Sequence, residues 1–155
     1  MSNYVLLFAM LILNQAIWAG FAQGVQVRVW GGYRAINSLR GEDLVRSYRE
    51  SEGVVNCKIC QAGAKVEPWV IEIWLEDEVI TASPDQYFYS VSFKGWRMAQ
   101  ELVRGEQLLA DSSSPVIVRD AHKIEKELTL YNLAVAETQT YFVSKSRVLV
   151  CGRIT

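Results

Sequence analysis

The sequence predicts an all-β domain behind a short apolar N-terminal segment. Three observations point there: apolar and polar residues alternate along most of the chain, turn-forming residues separate these runs at short intervals, and helical periodicity is almost absent. The 155 residues, half of them hydrophobic, leave room for one domain with a real core.

Residues 5–13 (VLLFAMLIL) form an unbroken apolar run, and Arg28 is the first charged side chain. A run of this length followed by small residues reads as a secretory signal peptide over residues 1–22. Cleavage is expected after Ala19 or after Ala22, where Gly20 and Ala22 give a small-x-small pattern. Asn14 and Gln15 interrupt the run, which is short for a membrane span of about 20 apolar residues. The segment before it holds no Lys or Arg, and the competing readings are a buried N-terminal helix or an uncleaved anchor. Export makes the protein secreted or periplasmic, with no stable membrane insertion once the signal is gone; the uncleaved alternative leaves it membrane-anchored.

The domain proper is expected over residues 23–155. Residues 25–30 (VQVRVW) alternate as a half-buried strand, Gly31-Gly32 turns the chain, and residues 33–36 resume an extended pattern. Residues 37–43 (NSLRGED) read as a turn before a strand that starts at Leu44. Residues 66–75 (VEPWVIEIWL) read as one alternating strand, with Val70, Glu72 and Trp74 on one face and Trp69, Ile71, Ile73 and Leu75 on the other. The acidic run 76–78 turns at the surface, residues 79–82 form a short strand, and Ser83-Pro84-Asp85 turns into the aromatic strand 86–91. Residues 112–115 form a loop between two further strands. Helical turns are expected only at 99–103 and 50–54. The tryptophans and the aromatic cluster at 87–89 are expected to fill core and strand faces.

A weak internal echo relates residues 36–45 to residues 99–109 with one residue of slippage, so that Gly41-Glu42 matches Gly105-Glu106. Each copy reads as a short turn, a glycine with an acid, then a strand start.

A net charge of −1 with scattered basic residues gives no nucleic-acid footprint. Cys57 and Cys60 form a lone C-K-I-C, and Cys151 lies far along the chain. With His122 as the only histidine, a complete zinc site is not expected, nor any other cofactor. In an oxidising compartment the cysteines are expected as a local Cys57–Cys60 disulfide, or as one bridge to Cys151 with a leftover thiol. His122 lies in a charged segment expected to be exposed.

The closing run, residues 130–152 (LYNLAVAETQTYFVSKSRVLVCG), resembles the closing segment of the Hint family, the Hedgehog/intein self-processing domains. That segment reads Y-N-L-x-V-x-x-x-H-x-Y-x-V and then V-L-V-H-N. Tyr131, Asn132, Leu133, Val135, Tyr141, Val143, Val148, Leu149 and Val150 match it. Gln139 stands in place of the histidine, and Cys151-Gly152 in place of His-Asn. Residues 20–27 (GFAQGVQV) fit the opening block C-F-x-x-G-T-x-V, with Gly20 where the nucleophilic cysteine belongs, and residues 42–45 fit the following G-D-x-V loosely. Residues 83–89 (SPDQYFY) and 95–108 fit the middle block T-P-D-H-P-F-Y and G-W-x-x-A-x-x-L-x-x-G-D-x-L, with Gln86 in place of its histidine. The Gly-Trp segment is most similar to the Hint modules of bacterial polymorphic toxins.

The resemblance implies a flattened, pseudo-twofold β horseshoe. It also implies a reaction: the first cysteine attacks the preceding carbonyl, the middle-block histidine protonates the departing amide nitrogen, and the closing His-Asn pair cleaves by cyclising the asparagine. Gly20 offers no nucleophile, Gln86 and Gln139 exchange no proton near neutral pH, and Gly152 has no amide to cyclise. With residues before Gly20 read as signal and only Arg153-Ile154-Thr155 beyond the last block, little is expected for such a reaction to release. The sequence therefore predicts an exported, catalytically degenerate Hint-like domain with no catalytic residue, serving a structural or protein-interaction role with an unidentified protein partner. The alternatives are a divergent self-processing domain that uses Cys151 or another residue, and a redox module centred on Cys57 and Cys60.

Overall fold

The computed structural model describes residues 19–112 and 114–152, so the apolar run at 5–13 lies outside the described residues. The strands are β1 (Phe21–Ala22), β2 (Gln26–Val29), β3 (Gly32–Ala35), β4 (Leu44–Arg49), β5 (Gly53–Glu67), β6 (Val70–Trp74), β7 (Val79–Ala82), β8 (Tyr87–Ser90) and β9 (Gly95–Met98). They continue as β10 (Gln107–Leu108), β11 (Val116–Ile117), β12 (Asp120–Ile124), β13 (Leu128–Val135), β14 (Thr140–Val143) and β15 (Val148–Cys151). One sheet runs in the order β12-β6-β7-β1-β13-β5-β4; the other runs β11-β10-β8-β15-β14-β2-β3, with β9 paired to β8.

Three expectations are corrected. The strand read over 66–75 is two, because Pro68 lacks a ladder N–H: β5 ends at Glu67 and β6 begins at Val70. Ile71, Ile73 and Leu75 are still buried on one face, as the alternation requires. Residues 50–54 form no helical turn. They make a hairpin turn in which the Glu52 amide donates to the Arg49 carbonyl (3.0 Å) and Gly53 takes φ +78°. Trp30 does not fill a core: it is 77% exposed, beneath the Arg46 guanidinium 5.2 Å away. The turn expected at 99–103 is present as a short 3₁₀ turn, Ala99–Glu101, and a second one spans Ile36–Ser38.

Those two turns belong to a repeated unit, and the hydrogen bonds inside it repeat at one constant offset. Leu39 donates to the Ile36 carbonyl (3.3 Å) and Leu102 to that of Ala99 (3.2 Å). Asp43 accepts from the Arg40 amide (2.9 Å) and pairs with Arg34; Glu106 accepts from the Val103 amide (3.1 Å) and pairs with Arg97. The Arg34 guanidinium donates to the Ser38 carbonyl and that of Arg97 to the Glu101 carbonyl. Glu42 at φ 79° and Gly105 at φ 89° donate to the carbonyls of Ile59 and Val118. The halves thus align without the slippage the sequence echo required: Glu42, not Gly41, takes the left-handed position of Gly105. A non-glycine there costs about 1 kcal/mol, which explains why matching glycine to glycine misplaced the register.

The β14–β15 hairpin joins the two halves. Every one of its strand residues is buried. Val143 of β14 pairs with Val27 of β2, and Val150 of β15 pairs with Phe88 of β8. Phe21, Phe88 and Tyr141 meet edge-to-face beneath it, with ring centroids 5.9 and 6.3 Å apart.

Candidate functional site

The positions singled out in the sequence come together around the middle of β13. The short strand β1 pairs Phe21 with both Tyr131 and Ala82, which sets Gly20 against β13. The turn after β7 follows directly: the Ser83 amide donates to the Gly20 carbonyl (2.8 Å), and the Ser83 hydroxyl donates to Asp85. Its geometry delivers Gln86, which is fully buried, to the end of β15.

One peptide unit, that between Cys151 and Gly152, is held from both sides. The Gln86 amide nitrogen donates to the Cys151 carbonyl (3.0 Å) and to that of Tyr87 (3.1 Å). The Gly152 amide donates to the Gln139 carbonyl (2.7 Å). Gln139 reaches this carbonyl orientation with φ 61°, in the β13–β14 turn. A buried hydroxyl cluster beside that turn joins Ser47 to Thr138 and to Thr140 (2.8 Å in each case or shorter). The side-chain oxygens of Gln86 and Gln139 are buried and find no hydrogen-bond partner among the described residues.

Both glycines are packed against the β13 backbone. A Cβ on Gly20, whose φ is +151°, would lie 2.4 Å from the Tyr131 carbonyl oxygen. A Cβ on Gly152 would lie 2.0 Å from that of Leu133 and 3.1 Å from the Tyr141 ring. Between these two contacts sits Asn132, whose side-chain oxygen accepts from the Tyr141 hydroxyl (2.8 Å) and from the Leu133 amide (2.8 Å). Burial pushes the Tyr141 hydroxyl far above the usual phenol range, and the neighbouring Cys151 adds to the shift. Tyr141 is therefore a fixed neutral donor. The sequence marked Asn132 and Tyr141 as shape-holding residues; that they form the floor of the site depends on the β13–β14 pairing and had no local signal.

Cys151 is buried, and its thiol donates to the Gly152 carbonyl (3.2 Å). Cys57 and Cys60 lie on β5, three residues apart, so they project to opposite faces. Cys57 is buried beside Thr138, Cys60 is exposed, and all three cysteines are free. His122 is half exposed on β12, 3.4 Å from Asp120 and edge-on to Trp74. Among the described residues no three His, Cys, Asp or Glu side chains converge to hold a metal ion.

The fold is shared with a solved intein-like domain and with solved inteins. A bacterial intein-like domain from Clostridium thermocellum superimposes with a TM-score of 0.80, at 22% identity over 88% of this chain and 99% of that one. A DnaB intein from Synechocystis does so with a TM-score of 0.74, at 15% identity over 88% of this chain and 99% of that one. No curated protein is significantly similar in sequence. The model of the pretoxin HINT domain matches residues 26–152, which span both halves of the fold and its closing hairpin, and the chain belongs to that family.

Proposed function

We propose that this is an exported, catalytically degenerate Hint domain that does not cut itself and serves as a protein-interaction module. The observation that carries the reading is the packing at Gly20 and Gly152. Gly20 and Gly152 stand where the family's reaction needs its nucleophilic cysteine and its asparagine, and backbone oxygens of β13 fill the space such side chains would take. The glutamines add to this. Gln86 does not transfer a proton near neutral pH, yet it can hold a neutral hydrogen bond in the manner of histidine, and it clamps the Cys151 carbonyl.

The competing reading gives Cys151 the role of nucleophile, because its sulfur lies against the Gly152 carbonyl. Attack there would close a small ring containing the Cys151–Gly152 amide, which favours a cis amide. That amide is trans and held at both its atoms. The thiol also points its hydrogen at the carbonyl oxygen.

Export rests on the apolar run at 5–13. Cleavage after Ala19 fits the fold better than cleavage after Ala22, which would remove the fully buried Phe21 and all of β1. N-terminal sequencing of the exported protein is expected to start at Gly20.

The deciding experiment is intact-mass analysis of protein tagged at both ends after incubation at neutral pH. The expected result is one species that retains both tags, unchanged by Cys151→Ala. Internal cleavage that disappears in Cys151→Ala would overturn the proposal in favour of the Cys151 reading.

A further inference from the structure

Removal of a leader after Ala19 does more than shorten the chain, because it creates a primary amine at the central site. We propose that the Gly20 α-amino group released by that cut stays buried and donates to the side-chain oxygen of Gln86. The central site thereby becomes a receptor for the chain's own new N-terminus. The inference rests on the export reading above and gives its cleavage product a binding site.

Two observations carry it. The first is where the Ala19–Gly20 bond lies. Ala19 is 2% exposed and Gly20 is buried. A bond so covered is closed to a protease once the domain has folded, so the cut precedes folding and the new end is built into the interior. Antiparallel pairing of Phe21 with Tyr131 and of Ala22 with Leu130 runs the chain upstream toward Leu133. The carbonyls of Tyr131 and Leu133 leave the same edge of β13, about 7 Å apart. A Cβ on Gly20 would meet the first, and a Cβ on Gly152 the second. The Gly20 nitrogen therefore lies on the side of Gly20 that faces the Cys151–Gly152 peptide unit.

The second observation is an acceptor with no donor. Gln86 is fully buried, and its amide nitrogen is committed to the carbonyls of Cys151 and Tyr87. Its side-chain oxygen has no hydrogen-bond partner among the described residues. Two backbone bonds tie Gln86 to Gly20: the Ser83 amide donates to the Gly20 carbonyl (2.8 Å), and the Gln86 amide to the Ser83 carbonyl (3.1 Å). A buried oxygen left unmatched is costly, and an amine brings one N–H more than the peptide bond it replaces. Burial favours the neutral amine, a small step for a group that ordinarily titrates at about 7.7–8.0. The titratable side chains on the surrounding segments are Asp85, Tyr131, Tyr141 and Cys151. Asp85 accepts from the Ser83 hydroxyl, Tyr141 donates to Asn132, and the Cys151 thiol donates to the Gly152 carbonyl.

The test uses protein expressed with its own leader and recovered after export through a C-terminal tag. Its N-terminus is sequenced, and acetylation by an N-hydroxysuccinimide ester is followed by mass spectrometry, folded and in denaturant. Gly20 is expected to react at least about tenfold more slowly in the folded protein, while the exposed Lys58 reacts alike in both. NMR on the Cys151→Ala variant, which removes the nearby thiol titration, reads the partner directly. The Gly20 nitrogen and the Gln86 side-chain carbonyl carbon are expected to titrate together, with a midpoint below about 7.7. Gln86→Met is expected to abolish the protection of Gly20; if that variant does not fold, the NMR titration decides alone. A Gly20 amine as reactive folded as unfolded, or a Gln86 carbon that ignores its titration, would sink the proposal. Either result on a chain that starts at Gly20 refutes the buried amine and leaves the leader reading standing. A chain that starts elsewhere refutes both.

Discussion

At position 152 the carbonyl oxygen of Leu133 lies where a side chain would have to start, and at position 20 that of Tyr131 does the same. Restoring the reactive residue types therefore meets backbone, which cannot rotate away as a side-chain tip can. Gly20→Cys combined with Gln86→His and Gly152→Asn is expected to yield no cleavage by intact mass. Gly152→Ala alone is expected to lower unfolding stability by about 3 kcal/mol in a denaturant titration. Tyr141 gives a prediction in pH. Its folded-state pKa is raised by burial, so the stability it contributes is fully present below the unfolded tyrosine value of about 10. That contribution falls away as pH rises beyond it. Tyr141→Phe is expected to reduce the loss of stability between about pH 10 and 12, at the cost of about 1 kcal/mol at neutral pH from the hydrogen bond to Asn132. Equal alkaline slopes for the variant and the native protein would contradict this.

The repeated unit makes a controlled comparison between two elements built to one plan. In the first half the acid is Asp43, a third exposed, paired with an Arg34 that is nearly half exposed. In the second it is Glu106, at 4% exposure, with an Arg97 that is largely covered. Water compensates for the loss of the first acid and not the second. Asp43→Ala is expected to cost about 1 kcal/mol, and Glu106→Ala about 3 kcal/mol, since it strands a covered guanidinium and the Val103 amide. Paired thermal melts of the two variants check the order. The sequence echo revealed that two such elements exist. It misaligned them because a side chain at positive φ is a rare choice, and Glu42 makes it with help from the Ile59 carbonyl.

On the scale of the whole molecule, stability is shared through the β14–β15 hairpin, which pairs with one strand from each half. Val150→Ala, at its centre, is expected to cost about 2 kcal/mol and to lower a single unfolding transition seen alike by near- and far-ultraviolet circular dichroism. Two separated transitions would show that the halves unfold apart. Most strands were legible in the sequence, since alternation reports burial directly; Pro68 and the hairpin at 50–54 were misread because a period-two pattern does not register a missing donor or a tight turn. The positions of Gly20, Gln86, Gln139, Cys151 and Gly152 as one site were legible only through the resemblance, because they lie far apart along the chain. By itself the sequence determined the all-β class, the family and the residue types at each reactive position, which are properties of local pattern. Only the tertiary structure decided that both glycines are packed shut against β13. That fact depends on which backbone atoms meet across the sheets, and no stretch of chain records it alone.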